Sequence, residues 1–490
     1  MAATETTSES AVLDAVGKQL FIGGRWVDAR GGGTLAVEDP ATGATLCEVA
    51  DAQVDDAKAA LAAADETFKT FRSVAPRERS DILRRAYDLI TERTDELALL
   101  MTLEMGKPVA ESKGEIAYAA NFFRWYAEEA VRINGRFTVN ETGAGRVLTM
   151  QQPIGPCLFI TPWNFPLAMG TRKIGPAIAA GCTMVVKPAK QTPLSMLALA
   201  GILEEAGLPG GVLNVVTAKS SGTIMEPLIR DPRVRKLSFT GSTEVGRKLI
   251  EQSAEQVLKV SMELGGNAPL LVFADADLDR AVDGALLAKM RNGGEACTSA
   301  NRIYVHESVA ADFTQRLANA IGALKVGRGT EDGVKVGPLI DEAQRAKVAE
   351  LVEDAVGKGA RAVCGGARVD GPGYFYAPTV LADIPQDATI LRQEIFGPVA
   401  PVITFSSDDE AIEKANDTEY GLVAYVFTQN LNRAFRVCEA LDTGMIGLNQ
   451  GMVSNAGAPF GGVKASGFGR EGGPEGLEEY LETKYIAMNV

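Results

Sequence analysis

The sequence predicts an α/β protein built on parallel sheets, and three observations carry that prediction. From residue 153 onward, short apolar runs alternate with segments of helical periodicity, the rhythm of strands covered on both faces by crossover helices. Upstream, residues 54–133 keep apolar side chains at helical spacing, which argues for a helical block before the sheet begins. Two stretches fall outside both patterns: 137–152 reads as a projecting hairpin and 479–488 as a terminal strand.

Each element has its own warrant. After a flexible start, residues 19–27 and 33–38 alternate around glycines like a small hairpin, followed by a turn at Asp39, Pro40 and a Thr-Gly pair. Helices are expected over Val54–Phe71, 77–104 and 109–133, the second with Ile82, Leu83, Ala86, Leu89, Ile90, Leu97, Leu100 and Met101 at helical spacing. Residues 137–152 set two β-rich runs about a glycine turn. The runs CLFIT, TMVVKP, GVLNVVT, KLSFTG and VSMELGG then read as parallel strands, with helices over 172–180, 193–206 and 223–229. A second series follows: strand 269–273, helix 278–289, strand 302–305, helices 309–324 and 343–358, and strand 360–364. Strand 424–427, helix Leu431–Ala440 and strand Met445–Leu448 continue it. Open sheets of this kind bind ligands at the carboxyl ends of their strands, which singles out Trp163, Asn164, residues 187–190, Gly241 and Ser242.

Composition narrows the function. A chain of 490 residues has room for about three domains, or two with an insertion. With 49 basic against 63 acidic residues the net charge is −14, which argues against nucleic acid or an anionic membrane as partner. No apolar run approaches the ~18 residues of a membrane span. The first twenty residues lack the basic region of a secretory signal and the arginines of a transit peptide. The six cysteines, at 47, 157, 182, 297, 364 and 438, have no paired short spacing. That fits a reducing compartment, gives no metal-ligand pattern, and together with the rest places the protein in the cytoplasm.

The chemistry centres on 289–305, KMRNGGEACTSANRIYV. Gly293 and Gly294 permit close backbone approach and unusual φ/ψ ahead of Cys297, and Ile303, Tyr304 and Val305 read as a strand that fixes the segment. From this segment alone Cys297 is either a nucleophile or an ordinary buried cysteine. The only histidine is His306, which precedes a helix and reads as a solvated loop residue, so a reactive Cys297 would take a carboxylate as its base. Residues 236–247, KLSFTGSTEVGR, run a strand through a glycine into a helix start, where backbone N–H groups can face phosphate. Arg247 stands where a Walker A loop needs lysine, so this is not that loop.

Taken together, PWNFP (162–166), KPAKQTP (187–193), FTGSTEVG (239–246), MELGGNAP (262–269), NGGEACTSANR (292–302), EIFGPV (394–399) and PFGGVKASGFGRE (459–471) resemble the aldehyde dehydrogenase superfamily over nearly the whole chain. The branch most resembled is that of bacterial succinate-semialdehyde dehydrogenases. The resemblance implies that Cys297 attacks the aldehyde as a thiolate and passes through a thiohemiacetal and a thioester, with hydride leaving to NAD(P). It gives Asn164 the oxyanion, together with the backbone N–H of Cys297, and makes Glu263 the general base. Lys173 would assist weakly. Trp163, Lys187, Lys190, Gly241, Ser242, Leu264, Glu394 and Phe396 fall around the dinucleotide. Lys190 stands where many NAD-preferring relatives carry glutamate, which implies NADP in preference to NAD. Arg172, Arg291 and Ser454 match positions that hold a carboxylate tail, by bidentate hydrogen bonding in the case of the arginines.

The implied fold is a Rossmann-like parallel-sheet cofactor domain (1–135 and 153–263), an α/β catalytic domain (264–447), a return segment carrying the substrate loop (448–474) and a small β oligomerisation element (136–152 and 475–490). A homodimer or homotetramer is expected. The implied reaction is irreversible oxidation of succinate semialdehyde. Glutarate semialdehyde and uncharged aliphatic or aromatic aldehydes are the alternatives, and an inactive nucleotide-binding relative is another. Two departures bear on this. Glu295 replaces a glutamine two residues before the nucleophile, and would raise the thiol pKa if it pointed inward. Ser299 replaces a second cysteine seen in some relatives, so no redox switch is expected there.

Overall fold

A computed structural model describes residues 8–489. Its largest sheet has eight strands, in the order Arg25–Val27, Leu20–Ile22, Leu213–Val215, Met184–Lys187, Cys157–Ile160, Lys236–Thr240, Lys259–Glu263 and Gly467–Phe468. The five from Leu213–Val215 to Lys259–Glu263 run parallel, and the edges are antiparallel. Alternate side chains of these strands enter opposite cores, as a two-residue period requires. Phe159, Val186 and Val215 join helices Ala168–Ala180 and Leu194–Glu205 on one face. Leu158, Val185 and Leu237 join helices Val54–Phe71 and Ser221–Ile229 on the other.

The second sheet has seven strands, in the order Arg361–Cys364, Thr379–Ala382, Val399–Phe405, Ala300–His306, Ala268–Val272, Val423–Phe427 and Met445–Leu448. All its pairings are parallel except that of the outermost strand Arg361–Cys364. Residues 264–267 cross from the first sheet to the second, so Glu263 ends a strand of one while Cys297 leads into a strand of the other. A third sheet joins Arg136–Val139, Arg146–Pro153 and the terminal Leu481–Met488, all antiparallel. Among the described residues no helix is long and apolar enough to cross a membrane.

Several elements differ from the sequence reading. The first seven residues of the expected flexible start lie outside the described residues, as does Val490 at the end of the expected oligomerisation stretch. Helix Glu9–Ala15, capped by Ser8, occupies part of the rest. The expected single hairpin is two: Leu20–Ile22 folds on Arg25–Val27, and Thr34–Asp39 pairs instead with Ala44–Ala50, where Val37 meets Cys47. The helix expected over 77–104 breaks at Arg93 (φ −98, ψ 22) into Pro76–Glu92 and Thr94–Met105. Arg93 leaves the helical path and its guanidinium binds Glu205. Strand Val399–Phe405 went unread because Pro401 lies inside it, and proline ordinarily argues against an interior strand.

Candidate active site

Asn292, Gly293 and Gly294 take successive left-handed conformations (φ 56, 61 and 79). A Cβ on Gly294 would lie 2.1 Å from the Gly397 carbonyl oxygen, so only glycine lets this loop cross the EIFGP segment. The loop delivers Cys297, and the Tyr425 hydroxyl fastens the next residue by donating to the Thr298 carbonyl at 2.8 Å. Cys297 keeps partial access to the cleft, yet burial pushes its thiol up to about 12, with Glu394 and Glu263 adding to the rise while Arg172 and Arg291 oppose it. The resting group is therefore a thiol that needs a base.

Glu263 is buried, and neither carboxylate oxygen has a hydrogen-bond partner. Burial, followed by the charge of Glu471, holds it well above the ordinary carboxylate range, against the pull of Arg172, Lys173 and Arg470. Those cations are engaged elsewhere: Arg172 and Lys173 both pair with the Glu471 carboxylate, Lys173 also donates to Thr240 at 2.8 Å, and Arg470 donates to the Gly462 and Gly469 carbonyls. Glu263 is thus shifted toward its neutral form, and once ionised is a stronger proton acceptor than an ordinary carboxylate.

Asn164 lies beside the nucleophile loop. Its Nδ2 donates to the Glu295 carbonyl at 3.0 Å, which leaves the amide a second N–H. Its own carbonyl accepts from Lys107 Nζ at 2.8 Å and from Asn292 Nδ2 at 3.0 Å. The Glu295 side chain is held elsewhere: Oε1 accepts from the Ile340 N–H at 3.1 Å. Burial raises its pKa, and the charges acting on it are Asp341 and Lys107. The carboxylate that could have opposed the thiolate faces residues 340–341. His306 ends strand Ala300–His306 and caps helix Glu307–Gly322, its Nδ1 accepting from the Ser308 N–H at 3.3 Å, with its ring edge-on to Phe405. That is a structural cap where a solvated loop residue was expected.

Beside this centre lies a cavity of about 950 Å³ bordered by Arg291, Ser454, Phe165, Tyr118 and Trp125. Arg291 Nη1 donates to Ser454 Oγ at 3.2 Å, and its guanidinium carbon lies 4.8 Å from the Phe165 ring centroid. Tyr118 Oη and Trp125 Nε1 are buried without a protein partner, so the wall fits an acceptor-rich guest. Arg172 is placed differently from the expectation. It is 1% exposed, ion-paired to Glu471 and packed 4.2 Å from the Phe460 ring centroid. Buried Glu471 requires cations, and Arg172 meets that requirement while its charge still acts on Cys297 and on Tyr118 of the cavity wall.

The residues expected around a dinucleotide gather at the strand ends. Lys187 ends strand Met184–Lys187, almost buried, with its pKa lowered to about 8 by burial and by the Lys190 charge. Ser242 caps helix Thr243–Ala254, accepting from the Val245 N–H at 3.4 Å. The Gly241 N–H donates to the Glu263 carbonyl at 3.0 Å, and Leu264 packs under Gly246. Trp163 and Phe396 meet edge to face at 5.3 Å. Glu394 accepts from the Gly266 N–H at 3.2 Å, and burial raises it to about 7. Two neighbouring lysines and an open helix N-terminus fit a polyphosphate-bearing dinucleotide. Glu471, Glu111, Glu115, Lys107 and Asn292 were not singled out in the sequence. The available signal was two acids, Glu111 and Glu115, one turn apart on a helix otherwise rich in apolar residues.

The sequence pattern of the aldehyde dehydrogenase family matches residues 26–486. A succinate-semialdehyde dehydrogenase of Paenarthrobacter nicotinovorans is 58% identical over 443 residues, covering 90% of this chain and 98% of its own length. A glutarate-semialdehyde dehydrogenase of Pseudomonas putida is 51% identical over 473 residues, covering 96% and 98%. Among solved structures, an NADP-dependent enzyme of E. coli superposes with a TM-score of 0.96 at 51% identity, over 98% of this chain and 99% of that one.

Proposed function

The chain belongs to the aldehyde dehydrogenase family, and from that premise we propose that it oxidises succinate semialdehyde to succinate, with NADP preferred over NAD. The observation that carries the substrate is the Arg291–Ser454 pair in the cavity wall next to the nucleophile. A guanidinium fixed by a hydroxyl and an aromatic face suits a planar carboxylate. Lys190, exposed beside Lys187, supports NADP, since a cation there accepts a 2′-phosphate.

The residues divide the work. Ionised Glu263 takes the Cys297 proton, the sulfur forms a bond to the aldehyde carbon as the carbonyl π bond opens, and the developing oxyanion is held by the Asn164 amide and the Cys297 N–H. A dinucleotide, when bound, would supply the two-electron oxidant as a hydride acceptor, leaving the acyl group on Cys297 as a thioester. Ionised Glu263 takes a proton from the water that attacks the thioester, and the thiol leaves as the acid forms. Lys187, Lys190 and the Gly241–Ser242 turn would hold the dinucleotide phosphates and adenosine ribose, with Glu394 and Phe396 at the nicotinamide ribose and Trp163 and Leu264 lining the cleft. Arg172 contributes through Glu471, whose pairing leaves Glu263 free.

Residues 1–135 and 153–263 serve as the cofactor domain, 264–447 as the catalytic domain, and 448–474 brings Ser454 to the substrate. Residues 136–152 and 475–490, which contribute the three-stranded sheet of Arg136–Val139, Arg146–Pro153 and Leu481–Met488, serve as the assembly element of a cytoplasmic homodimer or homotetramer. Glutarate semialdehyde is the second reading, supported by the glutarate-semialdehyde dehydrogenase of similar identity. Comparing kcat/KM for succinate semialdehyde, glutarate semialdehyde and butyraldehyde tests the substrate. A preference of about a hundredfold or more for one carboxylated aldehyde is expected from a desolvated charge-assisted contact. Equal use of butyraldehyde would reduce the reading to a general aldehyde oxidation.

A further inference from the structure

Helix Val109–Glu129 presents Glu111 and Glu115 one turn apart, on the same face by helical geometry. Each binds backbone on one side of Asn164 and the nucleophile loop. Glu115 Oε1 accepts from the N–H groups of Leu167 at 3.0 Å and Ala168 at 3.1 Å, and its other oxygen pairs with Lys107 Nζ at 2.6 Å. That lysine also donates to the Asn164 carbonyl at 2.8 Å. Glu111 Oε2 accepts from the Asn292 N–H at 2.5 Å. Asn292 Nδ2 in turn bridges the Asn164 carbonyl at 3.0 Å and the Glu295 carbonyl at 2.9 Å. The Glu295 carbonyl is also the acceptor for Asn164 Nδ2. Glu111 and Asn292 therefore grip the two peptide segments that carry the side-chain and main-chain donors of the oxyanion hole.

Asn292 holds a left-handed conformation (φ 56), and its Oδ1 is buried without a partner, so its amide is oriented for donation alone. Glu111 borders the substrate cavity with Lys107 and Glu115, where a buried carboxylate is retained only at a desolvation cost.

We propose that Glu111 and Asn292 are positioning residues that set the oxyanion hole, holding Asn164 and the 295–297 peptides at the separation that a tetrahedral oxyanion needs. The inference rests on the proposed aldehyde chemistry but not on the identity of the aldehyde, because every aldehyde adding to Cys297 forms the same oxyanion.

A double-mutant cycle tests it, with Asn292→Ala and Asn164→Ala measured singly and together under single turnover with butyraldehyde. Asn292→Ala should lower the rate of addition by about 10–100-fold with KM within about twofold, the signature of an interaction made only in the transition state. In the Asn164→Ala background the same change should cost less than about threefold, because residues acting as one unit are not additive. Alkylation of Cys297 by iodoacetamide, which forms no oxyanion, should keep its wild-type rate. Glu111→Gln should reproduce the pattern more weakly, and provides the same test if Asn292→Ala does not fold. Full additivity, or alkylation falling in parallel with turnover, would overturn the positioning role and leave the aldehyde reading standing. A wild type that turns over no aldehyde would overturn both.

Discussion

Glu263 and Cys297 are both shifted toward their neutral forms by burial, Glu263 well above the carboxylate range and Cys297 to about 12. The reaction needs both deprotonated, so the sign follows directly: kcat/KM should rise with pH as Glu263 ionises, across a range above that of an ordinary carboxylate. A profile falling over that range would contradict the roles given to both groups. Glu263→Gln removes the proton acceptor but keeps the shape, and should lower kcat by about 10²–10⁴-fold. The acyl-enzyme should then accumulate as a mass adduct on Cys297. Lys190→Glu should move the kcat/KM ratio of NADP to NAD toward NAD by about tenfold or more, the effect of about 1.4 kcal/mol at a charged contact. These groups were singled out in the sequence because each sits in one of the motifs that carry the family resemblance. The pairing of Arg172 with Glu471 was not legible, because the two lie about three hundred residues apart and nothing local signals a buried ion pair.

Between elements, carboxylates on one helix repeatedly satisfy the orphan N–H groups at the start of another. Glu104, on helix Thr94–Met105, accepts from the Leu194 N–H at 2.7 Å, the Ser195 N–H at 2.9 Å and the Ser195 hydroxyl at 2.5 Å, all at the start of helix Leu194–Glu205. Glu104→Ala leaves those donors buried and unpaired and should cost about 2–3 kcal/mol, read as a lower denaturation midpoint with an unchanged m-value. Most of the parallel strands and their helices were legible because runs such as CLFIT and TMVVKP hold three or more successive apolar residues. The break at Arg93 was not, because periodicity continues across it and the chain departs from the helix in a single residue. Cross-helix caps such as Glu104 leave no pattern at all, since donor and acceptor lie far apart in the chain.

At the scale of the whole molecule, the three-stranded sheet leaves Phe137 (63%), Val139 (56%) and Tyr485 (61%) exposed, on an element whose terminal strand is an open edge. Exposed apolar surface on an edge element is what the proposed assembly would bury. Phe137→Glu combined with Tyr485→Glu should shift the sedimentation coefficient toward that of the monomer while leaving the circular dichroism spectrum unchanged. The centre itself is assembled from both large sheets: Asn164 and Glu263 follow from the first, Cys297 leads into the second, and Arg291 and Ser454 close the cavity beside them. The most direct test of this arrangement is kcat/KM for succinate semialdehyde and for butyraldehyde, each with NADP and NAD, on the wild type and on Arg291→Ala. The account predicts a strong preference for the carboxylated aldehyde that collapses in the variant, with butyraldehyde little affected. Equal use of the two aldehydes, or a preference that survives loss of Arg291, would contradict it.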